Sequence, residues 1–66
     1  MIIAKDELSA LNSLVKVTNA SAVVIEDSGY EKQIQLQLSI GTMGAASDWQ
    51  DSILDCVDEL TDFLDI

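Results

Sequence analysis

A chain of 66 residues with 48% hydrophobic side chains has the size of one domain, over residues 1–66, and the composition of a folded protein. Its single cysteine excludes an internal disulfide, and without histidine it offers no cysteine–histidine cluster for zinc. The net charge of −9 argues against direct contact with nucleic acid or an anionic membrane, because both would repel the protein. Its natural targets are basic surfaces.

The sequence also lacks the features of a membrane protein or an enzyme. No apolar run approaches the roughly eighteen residues that cross a bilayer, and Asp6 and Glu7 precede any long apolar stretch, unlike in a signal peptide. Together with the unpaired Cys56, this predicts a cytoplasmic protein. Because histidine and arginine are absent and the chain is too short to enclose a substrate pocket, we expect no catalytic residue, no metal and no cofactor.

A helix is predicted near the start of the chain, over residues 5–17. The apolar positions that recur at helical spacing are Leu8, Leu11, Leu14 and Val15. Asn19 is a suitable residue for the end of this helix.

Two strands are predicted next. In YEKQIQLQLSI, apolar residues at every second position alternate with glutamine and serine, which is typical of a strand with one buried and one wet face. SAVVIED is its expected partner, and Asp27-Ser28-Gly29 supplies the turn residues of an antiparallel hairpin. The following GTMGAAS is interpreted as a flexible connection.

The most clearly patterned segment is an amphipathic helix predicted at the end of the chain, with Ser47 or Asp48 as its cap. One side of this helix holds Trp49, Ile53, Cys56, Val57, Leu60, Phe63 and Leu64, all expected in the core. The opposite side holds Asp48, Asp51, Asp55, Asp58, Glu59, Asp62 and Asp65. Leu54 lies at the border between the two sides. The expected fold is a small α+β domain of the order α-β-β-α, with the hairpin packed against both helices.

These seven acidic residues are the predicted partner-binding site. Residues 34–66 carry all seven and no base, for a net charge of −7, whereas residues 1–33 sum to −2. Like charges three or four positions apart on a helix each cost about 0.2–0.5 kcal/mol, so a chain selected only for stability would mix lysines among them. A face that is acidic merely because it is solvated remains the alternative interpretation.

Two short motifs resemble known families. Gly41-Thr42-Met43-Gly44 has the GxxG spacing of KH domains, but it follows a strand and carries no base. Asp51-Ser52-Ile53 resembles the Asp-Ser-Leu motif of acyl carrier proteins, in which Ser52 would carry phosphopantetheine. Carrier proteins are all-helical, and here Ser52 is predicted to fall after the first turn of the helix. Neither motif therefore predicts the function.

In composition, the chain resembles the short acidic proteins of phages and mobile elements, which include DNA mimics, anti-restriction proteins and anti-CRISPR proteins. We therefore expect an inhibitor or decoy that binds a basic, nucleic-acid-binding protein and blocks its groove. The alternatives are an immunity protein or antitoxin that neutralises a basic nuclease, and a non-enzymatic adaptor that acts as a dimer. The thin core of so short a chain makes a homodimer a further expectation.

Overall fold

The structure, a computed structural model, describes residues 4–66 as two helices and three strands. The elements are α1 (Lys5–Thr18), β1 (Ala22–Asp27), β2 (Ile34–Ile40), β3 (Met43–Ala46) and α2 (Ile53–Leu64). The predicted α+β class, the first helix and its end at Asn19 are confirmed, but the order is α-β-β-β-α. Residues 1–3 lie outside the described residues. They belong to the predicted domain and to the N-terminal segment that was compared with a signal peptide. Over residues 4–66, neither helix is long and apolar enough to cross a bilayer.

β2 is the central strand of an antiparallel sheet with the order β1-β2-β3. Its predicted alternation is confirmed: Leu36 and Leu38 are buried, and the glutamines between the apolar positions are only half-buried. Leu36 pairs with Ile25 of β1, while Leu38 lies between Val23 of β1 and Ala45 of β3. These side chains form the sheet's contribution to the core, because residues directly opposite each other project from the same face.

The predicted hairpin is confirmed, with a longer connection than the turn residues alone imply. Asp27 Oδ1 accepts a hydrogen bond from the backbone N–H of Gly29 at 2.8 Å, and Gly29 has a φ of +84°, as a turn residue without a side chain allows. The connection closes between Ser28 and Gln33. The N–H of Gln33 donates to Ser28 Oγ at 3.0 Å, and the N–H of Ser28 donates to the carbonyl of Gln33 at 2.9 Å.

The interpretation of residues 41–47 as a flexible connection is wrong, because they contain β3. Gly41 and Thr42 form a two-residue loop between the paired residues Ile40 and Met43. Gly41 has a φ of +60°, which two-residue hairpin loops require. The strand itself, Met-Gly-Ala-Ala, has no β-branched or aromatic residue and so carries almost no intrinsic strand signal. Pairing with β2 is what makes it a strand.

The chain stays extended along β2 beyond the end of β3. The N–H of Ser47 donates to the carbonyl of Leu36 at 2.9 Å, and the N–H of Leu36 donates back to Ser47 Oγ at 3.0 Å. Two further hydrogen bonds of 2.8 Å join the backbones of Ile34 and Gln50. Residues 47–50 are therefore extended and cannot be part of a helix.

The predicted start of the last helix is wrong for the same reason. Ser47 and Asp48 do not cap it; α2 begins at Ile53, and Ser52 is the N-cap, with its Oγ accepting the N–H of Asp55 at 3.2 Å. The serine of the carrier-like motif thus lies before the first turn, contrary to expectation. The sheet, however, differs from the all-helical fold that this motif implies.

The two helices lie side by side and run in the same direction. Near their starts, Glu7 Oε2 accepts the N–H of Ile53 at 3.1 Å, and towards their ends Val17 and Thr61 line one groove. An odd number of strands between the helices produces this parallel arrangement, because each hairpin reverses the chain. The core between the helices and the sheet consists of Leu11, Leu14, Ile34, Leu36, Leu38, Ala45, Ile53, Cys56, Val57 and Leu60.

Removing the Ser47 hydroxyl should destabilise the domain. Ser47 is 2% exposed, and Ser47→Ala leaves the N–H of Leu36 without its acceptor in the core. An unsatisfied buried donor costs about 1–3 kcal/mol. Urea denaturation followed by circular dichroism measures this loss. Ser39→Ala, on the exposed side of β2, is the matched control and should change stability by no more than about 0.5 kcal/mol. Equal stability of the two variants would contradict this role of Ser47.

Candidate partner-binding surface

The seven predicted site residues do not form one helical row. Asp48 and Asp51 lie in the connection before α2, and Asp65 lies just after the helix. Glu59 is half-buried, whereas the six aspartates are exposed. The continuous row predicted over seven positions is therefore wrong, and on the helix itself the exposed acids are Asp55, Asp58 and Asp62.

These three aspartates, which we name the acidic face, cover the outermost side of α2. At about 100° per residue they fall within a sector about 60° wide, and they rise along the helix axis in steps of about 4.5 and 6 Å. Within residues 4–66, none of the three carboxylates accepts a hydrogen bond from the protein. Their charges are therefore turned to solvent and available to another molecule.

Glu59 has a different role, because its carboxylate holds the chain that precedes the helix. Its two oxygens accept the N–H of Asp48 at 3.1 and 2.9 Å, and Oε1 also accepts Nε2 of Gln50 at 2.7 Å. The contact attaches residues 48–50, and with them the extension of the sheet, to the side of α2. Glu59 is the one glutamate among the seven acids. Its side chain is one methylene longer than that of aspartate, which is the only indication in the sequence that its carboxylate reaches further than those of its neighbours.

Glu7 is an anchoring acid whose role the sequence does not predict. Its Oε2 accepts the N–H of Ile53, the first residue of α2, and its Oε1 lies 3.4 Å from the N–H of Ala4. A carboxylate at this position also interacts favourably with the positive ends of both parallel helices. The only local signal was an acid in the first turn of α1, which does not reveal a contact 46 positions away in the chain.

The end of α2 carries an unfavourable acid. Asp65 has a φ of +57°, in the left-handed region usually occupied by glycine or asparagine at a helix C-terminus. Its N–H donates to the carbonyl of Asp62 at 3.2 Å, and the N–H of Ile66 donates to that of Thr61 at 3.1 Å. The motif closes the helix correctly, but it places a negative side chain at the negative end of the helix dipole.

Apolar side chains border the acidic face on both sides. Leu54 is 37% exposed and Phe63 is 71% exposed, and about 100° per residue places them on opposite sides of the aspartates. Trp49, which lies before the helix, is 44% exposed. The prediction that Phe63 and Trp49 lie in the core is therefore wrong. Aromatic residues are enriched at protein interfaces, so Trp49 and Phe63 are candidate contact residues.

Cys56 is a buried thiol, as its place among the apolar residues predicts. It has no exposed surface, and its Sγ–H donates to the carbonyl of Ile34 at 3.7 Å. Burial raises the pKa of the Cys56 thiol, and the negative charges of Glu59 and Asp55 act in the same direction. The residue is therefore protonated and unreactive at neutral pH. Over residues 4–66, no three histidine, cysteine, aspartate or glutamate side chains converge as metal ligands would.

No family model matches the chain, and neither a curated protein nor a solved structure is significantly similar to it. A proposal on its function therefore rests on the chemistry of its own surfaces.

The anchoring and the exposed acids should respond differently to mutation. Glu59→Ala removes the acceptor of two donors and should lower the free energy of unfolding by about 1–2 kcal/mol. Asp58→Ala, one position away on the exposed side, removes only repulsion between like charges, so stability should stay equal or rise by a few tenths of a kcal/mol. Urea denaturation of both variants tests this, and a loss of equal size in the two would contradict the division.

The charge at the end of α2 should be destabilising at low salt. Asp65→Asn keeps a residue that tolerates the left-handed conformation and removes the charge, so the free energy of unfolding should rise by about 0.3–1 kcal/mol. In about 1 M salt, where the screening length is about 3 Å, most of this gain should vanish. The control is Asp6→Asn in the first turn of α1, at the positive end of that helix dipole, where the same change should lower stability. The same sign for both variants at low salt would refute this explanation.

Proposed function

We propose that this protein is a small acidic inhibitor that occupies a basic, nucleic-acid-binding groove of another protein with its acidic face. The observation that carries the proposal is that Asp55, Asp58 and Asp62 are exposed and unpaired within residues 4–66, on a helix without a basic residue. Glu7 and Glu59 contribute negative charge but are used to hold the fold. The acidic face has no such structural use.

The repulsion between like charges on α2 is smaller than the sequence alone implies, yet it still lowers stability. Asp48 and Asp51 lie outside the helix, so their predicted repulsions along it do not occur. Asp55–Asp58 and Asp58–Asp62 remain at spacings of three and four, each costing about 0.2–0.5 kcal/mol. A row of like charges that reduces stability is expected where a cationic surface compensates for it on binding.

The spacing of the acidic face supports a nucleic-acid-like partner surface. Steps of about 4.5 and 6 Å between carboxylates along the axis compare with about 3.4 Å between phosphates along one strand of a duplex. The likeness is one of sign and approximate periodicity, at lower charge density. Asp51 and Asp65 extend the negative surface beyond the two ends of the helix. A lysine- and arginine-lined groove would bind such a surface and be closed to its own ligand.

An immunity protein or antitoxin that neutralises a basic nuclease would use the same surface, and the identity of the bound protein distinguishes it from an inhibitor of another nucleic-acid-binding protein. A non-enzymatic dimeric adaptor would not need the acidic face. We further propose that the protein acts in the cytoplasm, where the unpaired Cys56 stays reduced.

Neutralising the acidic face should abolish binding without harming the fold. Immobilised protein is used to capture proteins from a host lysate, and bound proteins are eluted with a salt gradient. The variant Asp55→Asn/Asp58→Asn/Asp62→Asn should lose the captured protein, because loss of one partner of a buried charge pair costs about 2–5 kcal/mol. The captured protein should also release its nucleic acid when the wild type is added.

The matched control is Glu26→Gln/Asp27→Asn/Glu31→Gln, which removes the same charge from exposed positions in the first half of the chain and keeps the side-chain oxygen at position 27 that accepts the N–H of Gly29. It should retain the captured protein, eluting at slightly lower salt. If both variants lost the captured protein equally, binding would depend on net charge alone and not on the acidic face. Capture that survives neutralisation of the acidic face would refute the proposed function and favour an adaptor.

A further inference from the structure

An apolar groove runs between the two parallel helices, beside the acidic face. It has a volume of about 310 Å³, and its lining is almost entirely apolar. Its lining includes Ala10, Leu14, Val17, Val57, Thr61 and Ile66. Val17 is 66% exposed and Ile66 is 53% exposed, so the walls of this interhelical groove are open to solvent.

Most of the charged residues at the lips of the groove are acidic. Asp58 stands on the α2 side, next to Val57 and three positions before Thr61, and Asp65 follows Thr61 by four positions. On the α1 side, Asp6 lies one turn before Ala10, and the exposed Lys16 adjoins Val17. All three aspartates are exposed. The groove therefore combines an apolar floor with negative charge along its α2 side.

We propose that the interhelical groove binds an amphipathic helix of the partner, with apolar residues facing the floor and lysine or arginine facing the lips. This inference rests on the proposed function and names the element of the basic partner that docks. An amphipathic helix in a groove uses apolar anchors at helical spacing, and two parallel helices already present ridges between which a third helix packs. The basic polar face then pairs with Asp58 and Asp65.

A second copy of this chain fits the groove less well. Each copy carries a net charge of −9, and the exposed side of α2 is acidic, so docking it beside Asp58 and Asp65 would place like charges together. A basic helix would instead bring opposite charges together. Charge complementarity therefore selects the partner's helix over self-association through this groove.

The test uses synthetic peptide probes of about 18 residues, long enough to form a helix on binding. The first probe contains leucine and lysine, with the leucines at helical spacing. The second has the same composition in scrambled order, and the third replaces lysine by glutamate in the first pattern. Fluorescence anisotropy of labelled peptides gives the affinities. The first probe should bind at least about tenfold more tightly than the second, which corresponds to about 1.4 kcal/mol, and the third should not bind.

The groove itself is tested with Val17→Ser/Ile66→Ser, whose side chains are exposed enough for the fold to survive, as thermal denaturation will verify. This variant should lose the advantage of the first probe over the scrambled one, at least about tenfold in affinity, at low and high salt alike. Tyr30→Ser, an exposed site in the β1–β2 connection, is the control and should bind as the wild type does.

Unchanged preference in the groove variant, or equal binding of the first two probes, would overturn the inference while leaving the proposed function intact. Loss of probe preference together with capture that survives neutralisation of the acidic face would instead refute the proposed function and retain the groove as a peptide site. Sedimentation adds one outcome: a dimer that the groove variant disrupts would assign the groove to a second copy and overturn the inference.

Discussion

The backbone pairing of β2 with the chain from Met43 to Gln50 determines the rest of this fold. A two-stranded hairpin is barely stable alone, and this third segment gives β2 a hydrogen-bonded neighbour on each side. It also reverses the chain once more, so that α2 runs parallel to α1 and its first N–H, that of Ile53, donates to Glu7. Where the regular pairing of β3 with β2 ends, Ser47 Oγ accepts a hydrogen bond from the N–H of Leu36. Loss of this edge would release α2 and open the core.

The acidic residues of this protein have two different roles. Glu7 and Glu59 accept backbone and side-chain donors and join elements that are distant in sequence. The aspartates of the acidic face make no such contact within the described residues and lie where solvent or a partner meets them. Glutamate has the longer side chain, and it is the residue used wherever a carboxylate reaches across from one element to another. The net charge of −9 is therefore not a uniform property of the surface.

Charge and apolar area meet on the same side of the molecule. Asp58 of the acidic face adjoins Val57 of the interhelical groove, and Leu54 lies between the groove and the acidic face on the helix surface. Protein interfaces commonly combine an apolar centre with a charged rim, in which the centre supplies affinity and the rim supplies orientation and association rate. A basic partner with an amphipathic helix would use both features together. This combination distinguishes docking onto a protein from simple attraction to any polycation.

The sequence by itself determined the α+β class, the first helix, the alternation of β2 and the acidity of the last helix, because each depends on a local period or on composition. Tertiary structure alone decided that Met43–Ala46 is a strand, since small residues carry no strand preference and only pairing with β2 holds them extended. It also decided that α2 begins at Ile53 and not after Ser47, because residues 47–50 are bonded to β2 before the helix can form. The pairing of residues 47–50 with β2 also separates the anchoring acids from the exposed acids. Which donors a carboxylate meets depends on chain segments far away in sequence, and no pattern along the chain records that.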